Sequence, residues 1–163
     1  MKIKFAPAFL FVVLACVLAG CGFFVPSKHD PAQYGPAQAA AEGGDLVTLK
    51  QLVKADPSLI HTNEWGSLTL LHLAVLHNQT STVDYLVTQG SDIKAKTDKG
   101  ITPIHEAAQN GNQDIMEILL AHGADINALD DQKQTPLDRA LWSHAEVADF
   151  IKQKGGHAGN GGQ

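Results

Sequence analysis

The sequence predicts an all-α solenoid of about four helix–turn–helix units carrying short hairpin-like fingers, and three observations support this. Thr69, Thr102 and Thr135 are thirty-three residues apart, as are Ala74, Ala107 and Ala140, and Gly90 falls thirty-three before Gly123. A fixed period of this length marks a stacked repeat. Inside each period apolar residues recur three and four apart, as in Ile115, Ile118 and Leu119, giving a helix one buried stripe. Proline and glycine punctuate the ends of these segments and stay out of their interiors.

The first twenty residues are expected to lie outside the fold. Lys2 and Lys4 precede an apolar run from Phe5 to Leu18, the layout of a secretory signal peptide. Leu18-Ala19-Gly20-Cys21 resembles the lipobox of bacterial lipoproteins, which implies cleavage before Cys21 and acylation of its thiol. Gly22 follows where an inner-membrane retention signal would place aspartate, so the resemblance implies the outer membrane facing the periplasm. The alternative is an uncleaved anchor, because no charge occurs from Phe5 to Val25. In both cases the remainder of the chain is exported. Residues 21–36, with Pro26, Pro31 and Pro36, are expected to form a flexible tether.

Composition narrows the partners. Cys16 and Cys21 are the two cysteines, so the repeat region has no disulfide and depends on packing alone. Without Lys2 and Lys4, ten basic residues face seventeen acidic ones, a net charge of −7. Arg139 is the single arginine. Nucleic acid is therefore an unsuitable partner, since phosphate binding needs clustered Lys and Arg. Attachment to a membrane would have to be covalent, through Cys21.

The repeat domain is expected over 37–156, in units of about 37–63, 64–96, 97–129 and 130–156. The first supplies a helix pair without a Thr-Pro opening. The second opens at Thr69 with Leu70 in the proline's place and buries Val83, Leu86 and Val87. In the third, Thr102 caps the first helix, Pro103 fills its first turn and Gly111 ends it. The fourth opens at Thr135-Pro136 and buries Val147, Phe150 and Ile151. Gly66 lies one residue away from the register of Gly100, which implies a local shift in the first finger. Residues 157–163 are expected to form a disordered tail. Thr102-Pro103-Ile104-His105 with Ala107, in a period of thirty-three, resembles the ankyrin repeat.

The histidines test whether this repeat carries chemistry. His72 and His105 occupy equivalent positions, and Asp138 stands at the third. Zinc ligation would need donors within ~3.5 Å of one another, whereas stacked helices lie about 8–10 Å apart. The ankyrin resemblance implies that His72 and His105 bond to the motif threonine or nearby backbone. Asp138 replaces them with another hydrogen-bonding group. Glu106, about 100° around the helix from His105, is expected to be solvated. No hydrolase elbow, phosphate loop or metalloprotease pair occurs. The chain is accordingly expected to be no enzyme, with no cofactor and no metal. A noncanonical catalytic site is the weak alternative.

Ankyrin relatives usually bind proteins with their turn tips and first helices. On this chain those positions are Trp65 and Leu68 in the first finger. Asp98, Lys99 and Ile101 follow in the second, and Asp131, Gln132 and Gln134 in the third. The first helices contribute Leu76, Gln109 and Trp142 in one row, and His77 and Asn110 in the next. Trp65 and Trp142 are the two tryptophans, a residue type enriched where truncation weakens binding. Trp142 is equally suited to covering the end of the core. The resulting expectation is a monomeric, lipid-anchored binder of a protein partner, acting as an envelope adaptor. Two further roles fit the sequence: an immunity-type inhibitor of an exported toxin, or a helper of periplasmic catalase.

Overall fold

The structure, a computed structural model, describes residues 35–61, 67–141 and 144–159. All of them fall within one of the chain's two compact units, Tyr34–Gln163. Cys21, Trp65 and Trp142 lie outside the described residues. Eight α-helices occur among those described: α1 (Pro36–Gly43), α2 (Leu46–Ala55), α3 (Leu70–Leu76), α4 (Thr80–Thr88), α5 (Pro103–Gln109), α6 (Gln113–Ala121), α7 (Pro136–Ala140) and α8 (Ala145–Gln153). A 3₁₀ turn, Pro57–His61, follows α2. No described helix is long and apolar enough to cross a membrane.

The helices pair in sequence, and the first helix of each pair packs on the first helix of the next: α1 on α3, α3 on α5, α5 on α7. Ala74, Ala107 and Ala140 are fully buried at equivalent places in these contacts, because a methyl group lets two backbones approach closely. The second helices contribute the stripes expected of them. Val83, Leu86, Ile115, Leu119 and Ile151 are all inaccessible to solvent. Removing any one leaves a cavity costing about 2–5 kcal/mol.

Three of the four first helices, α3, α5 and α7, begin with a reciprocal cap. Thr69, Thr102 and Thr135 all precede such a helix, and in each case the side chain three residues on returns to the threonine's own amide. In the first unit Gly35 precedes α1, and Gln38 folds back against it so closely that a Cβ on Gly35 would meet its amide oxygen. Gly35 and Gln38 thus hold the places of Thr69 and His72, which explains how this unit starts without the motif.

The fingers are tight hairpin turns, closed by Thr97 N–H to the Ile101 carbonyl (2.9 Å) and by Asp130 N–H to the Gln134 carbonyl (3.1 Å). Each turn has one residue in the left-handed region: Ser67 (φ 65°), Gly100 (φ 71°) and Lys133 (φ 59°). These residues are thirty-three apart, so the expected shift at the first finger does not occur. Ser67, not Gly66, holds the turn position. A non-glycine residue there costs roughly 1 kcal/mol, which the surrounding stack offsets.

The chain's end corrects a second expectation. Residues 157–159, expected to be part of a disordered tail, pack against the fourth unit. Gly159 N–H donates to Asp138 Oδ2 (2.8 Å), and the Thr135 hydroxyl donates to the His157 carbonyl (2.9 Å). Asn127 Oδ1 accepts from His157 N–H at 2.9 Å. The approach is close enough that a Cβ on Gly159 would collide with the Lys133 carbonyl. This segment covers the ground that a following finger would take.

Candidate functional site

The histidine column is a set of links between units. In the third unit, His105 Nδ1 lies 3.2 Å from Thr102 N and 2.8 Å from its hydroxyl, while Nε2 lies 3.1 Å from the Gln134 carbonyl. A backbone N–H can only donate, so Nδ1 accepts and the proton sits on Nε2. His72 repeats this with Thr69 and with the Ile101 carbonyl at 3.3 Å. The expected bond to the threonine is present, and Nε2 adds a bond to the next finger that spacing did not disclose. Burial, the largest influence, holds both imidazoles below the ordinary histidine pKa despite the carbonyls they face. Both are therefore neutral donors at pH 7.

Asp138 reverses the polarity of the link. A carboxylate can only accept, so it takes Thr135 N–H (2.8 Å) and Gly159 N–H in place of donating to a carbonyl. Gly159 supplies that donor at the place where, in the second and third units, the next finger supplies an acceptor. Among the described residues no three His, Cys, Asp or Glu side chains are grouped so as to hold a metal ion.

Six of the expected contact residues line one cleft of about 410 Å³ between the second and third fingers. Asp98, Lys99, Ile101, Asp131, Gln132 and Gln134 line it, all of them expected, together with Asp130 and Arg139, which were not. The fingers are joined by Asp131 N–H donating to the Lys99 carbonyl at 3.1 Å. The Ser67 hydroxyl bonds Asp98, tying the first finger to the second. Leu76 (45% exposed), His77 and Gln109 project to solvent from the first helices. Leu68 is half-buried and packs on the core. Asn110 uses its amide to cap α3, donating to the carbonyls of Val75 and Leu76 at 3.1 and 3.2 Å.

Arg139 organises the cleft floor. Its Nη1 donates to Gln109 Oε1 on α5 (2.8 Å), and its Nη2 pairs with Asp130 Oδ2 at 2.7 Å. Asp130 Oδ1 accepts the amides of Gln132 (2.8 Å) and Gln134 (2.9 Å), as the Thr97 hydroxyl does for Lys99 and Ile101 in the finger before. Burial raises the Asp130 pKa, but Arg139 and the two amides outweigh it and hold the carboxyl below its usual value.

Glu106 departs furthest from expectation. It is 8% exposed, not solvated, and its Oε2 has no hydrogen-bond partner. Burial pushes its pKa to about 8 against the opposing pull of Arg139. The physical reason is the stack itself. Leu73, Glu106 and Arg139 recur at thirty-three, so the helices on either side of α5 enclose a position that an isolated helix would expose. That spacing was the available signal for all three. Asp130 could have been found the same way, as the counterpart of Thr97.

A stack of paired helices, each unit tied to the next finger by a buried side chain, defines a repeat solenoid with its side chains displayed from turn tips and first helices. The family described as "Ankyrin repeats (3 copies)" matches residues 37–130 and, overlapping them, 71–159. The chain belongs to the ankyrin-repeat family. It is 40% identical over 62 residues to the palmitoyltransferase AKR1 of Naumovozyma castellii, covering 38% of this chain and 8% of that protein. With the palmitoyltransferase AKR1 of Saccharomyces cerevisiae it is 40% identical over 78 residues, 43% of this chain and 10% of the relative. With the serine/threonine-protein kinase VIK of Arabidopsis thaliana it is 29% identical over 94 residues, 53% of this chain and 22% of the kinase. The chain thus spans about a tenth of the palmitoyltransferases and about a fifth of the kinase. The expectation that this chain is no enzyme is overturned by these names, all three of which denote enzymes. Missing motifs were insufficient ground, because a repeat of this kind occurs in chains named for catalysis.

Proposed function

We propose that the chain binds a protein partner through the face formed by the 98–101 and 130–134 fingers and the exposed rows of α3 and α5. The single observation carrying this is that six of the expected contact residues, from two successive fingers, line one cleft. Arg139, Asp130 and Gln109 hold its floor rigid, so little ordering entropy is lost on binding. Leu76 supplies exposed apolar area on α3. The sequence of the first twenty-one residues supports export and acylation at Cys21, which would hold the binder at the cell envelope. An envelope adaptor is the reading we favour over an immunity-type inhibitor or a catalase helper, since it asks of this face only the protein binding that ankyrin repeats support.

The test is recovery of partner by the full chain from cell envelopes, repeated with Leu76→Asp and Gln132→Ala. Both side chains are exposed, so both variants should fold, and each should lower recovery about tenfold, the loss typical of a contact that matters. Equal recovery by wild type and both variants would place the interface elsewhere. In a separate arm, Cys21→Ser should move the chain from the membrane fraction to the soluble one. Retention with the membranes would refute acylation as the anchor.

A further inference from the structure

We propose that Asn110 and Gly111 form a deamidation site that the stack holds shut and that opens when the third unit separates from its neighbours. An asparagine followed by glycine suits this reaction best, because glycine has no Cβ to hinder attack by its own nitrogen. The pair sits in the turn between α5 and α6. Asn110 caps the end of α5 (φ −79°, ψ −9°), and Gly111 takes the left-handed region (φ 72°). A polar pocket of about 370 Å³, lined by both residues with Asn78, Asn112, Gln113 and Asp114, opens there and lets water reach the bond.

The reaction needs only water. The Gly111 nitrogen attacks Cγ of Asn110 and loses its proton to solvent hydroxide, forming the N–Cγ bond of a cyclic imide. The Cγ–Nδ2 bond breaks, and Nδ2 leaves as ammonia with a proton taken from water. Water then opens the imide at either carbonyl, leaving aspartate or isoaspartate at position 110. No electrons are transferred. The atom lost is the one the stack depends on, since Nδ2 donates to the Val75 and Leu76 carbonyls at 3.1 and 3.2 Å. A carboxylate can only accept, so both carbonyls lose their donor and face a negative charge. The joint between α3 and α5 cannot close as before, and the change is a permanent record of one opening.

The folded state holds the reacting atoms apart. The helical ψ of Asn110 turns the Gly111 nitrogen away from the side chain, and attack needs a more extended backbone there. Gly111 N–H is committed to the Ala108 carbonyl at 3.2 Å. Both neighbouring units add to this. Val75 and Leu76 of the second hold Nδ2, and the His144 ring of the fourth lies where a Cβ on Gly111 would collide with it. Opening therefore has to loosen contacts on both sides, which makes it a subglobal unfolding event. Leu76 belongs to the face proposed for the partner, so a converted chain would carry a loosened surface there. That consequence, unlike the chemistry, rests on the reading above.

The experiment follows ammonia loss at each asparagine of the full chain in detergent, by peptide mass spectrometry with enzymatic isoaspartate labelling, at mildly alkaline pH. In urea, Asn110 should react as fast as Asn160, which is followed by the same glycine. Asn112 should lag behind both there, since the glutamine after it carries a Cβ. Without urea, Asn110 should react at least about a hundredfold more slowly than in it, because only opened molecules are competent. His144→Ala removes a side chain that makes no cap bond, so the variant should fold, and native conversion should quicken at least about threefold. Asn110→Asp, which reproduces one product, should cost the amides of 77–79 about tenfold in hydrogen-exchange protection. Equal rates with and without urea would overturn the proposal, as would an Asn110 that stays intact in urea. Native conversion indifferent to His144→Ala would show that the fourth unit does not guard the site. Unchanged protection in Asn110→Asp would sink the claim that conversion breaks the joint.

Discussion

Glu106→Gln should stabilise the protein at pH 8 and leave it unchanged at pH 4. The folded-state pKa of Glu106 is raised from 4.5 to about 8, so folding favours the protonated form. A group raised in this way contributes stability that is complete below its unfolded value. That contribution is lost as pH climbs through the folded one. The window is therefore pH 4.5 to 8, with no further change above it. The full shift corresponds to an upper bound of about 5 kcal/mol. Relaxation of Arg139 towards an ionised Glu106 should reduce the observed gain to about 2–4 kcal/mol. Urea unfolding of both proteins across this range would measure it. Parallel curves for wild type and variant, with no divergence above pH 5, would show that Glu106 is solvated after all.

The second large effect belongs to His105. Replacing it with alanine removes the acceptor of the Thr102 amide and the donor to the Gln134 carbonyl, at a site with no solvent access. Two backbone groups lose their partners and a cavity opens, for a combined cost of about 3–4 kcal/mol. The damage should be local in an informative way. His105 joins α5 to the third finger, so amides of 130–141 should lose hydrogen-exchange protection before those of α3 and α4. A loss below about 1 kcal/mol, or uniform loss of protection, would mean the inter-unit bond contributes little. The pH dependence has the opposite sign to that of Glu106. Both motif histidines have lowered folded pKa values, chiefly through burial, so their contribution is present above about 6.5 and lost as pH falls through those lowered values. His105→Ala should accordingly flatten part of the acid limb of stability and leave the alkaline limb to Glu106.

The two variants bear on what kind of molecule this is. The column of His72, His105 and Asp138 looks at first like a reactive series. It works as one joint built twice with a donor and once with an acceptor, the change following from what lies next along the stack. Reactive-looking chemistry is concentrated elsewhere, at Glu106, Arg139 and Asp130, where a carboxyl is held neutral beside an arginine committed to another carboxylate.

The sequence by itself determined the repeat, its length, the caps at Thr69, Thr102 and Thr135 and the buried stripes. These depend on local rules, since caps and helical periodicity involve residues a few positions apart and the thirty-three-residue period copies each solution forward. It also supplied the lipobox resemblance, which concerns residues beyond those the structure describes. The tertiary structure alone decided three things. It buried Glu106, because enclosure comes from neighbouring helices and not from its own. It placed Ser67 at the left-handed turn, where the bonds between fingers override a serine's local preference. It also brought Gly159 back to Asp138, because a half-buried carboxylate takes a donor where the imidazoles of the earlier units take an acceptor. In each case the deciding partner lies twenty or more residues away, beyond the reach of periodicity but within one step of the stack.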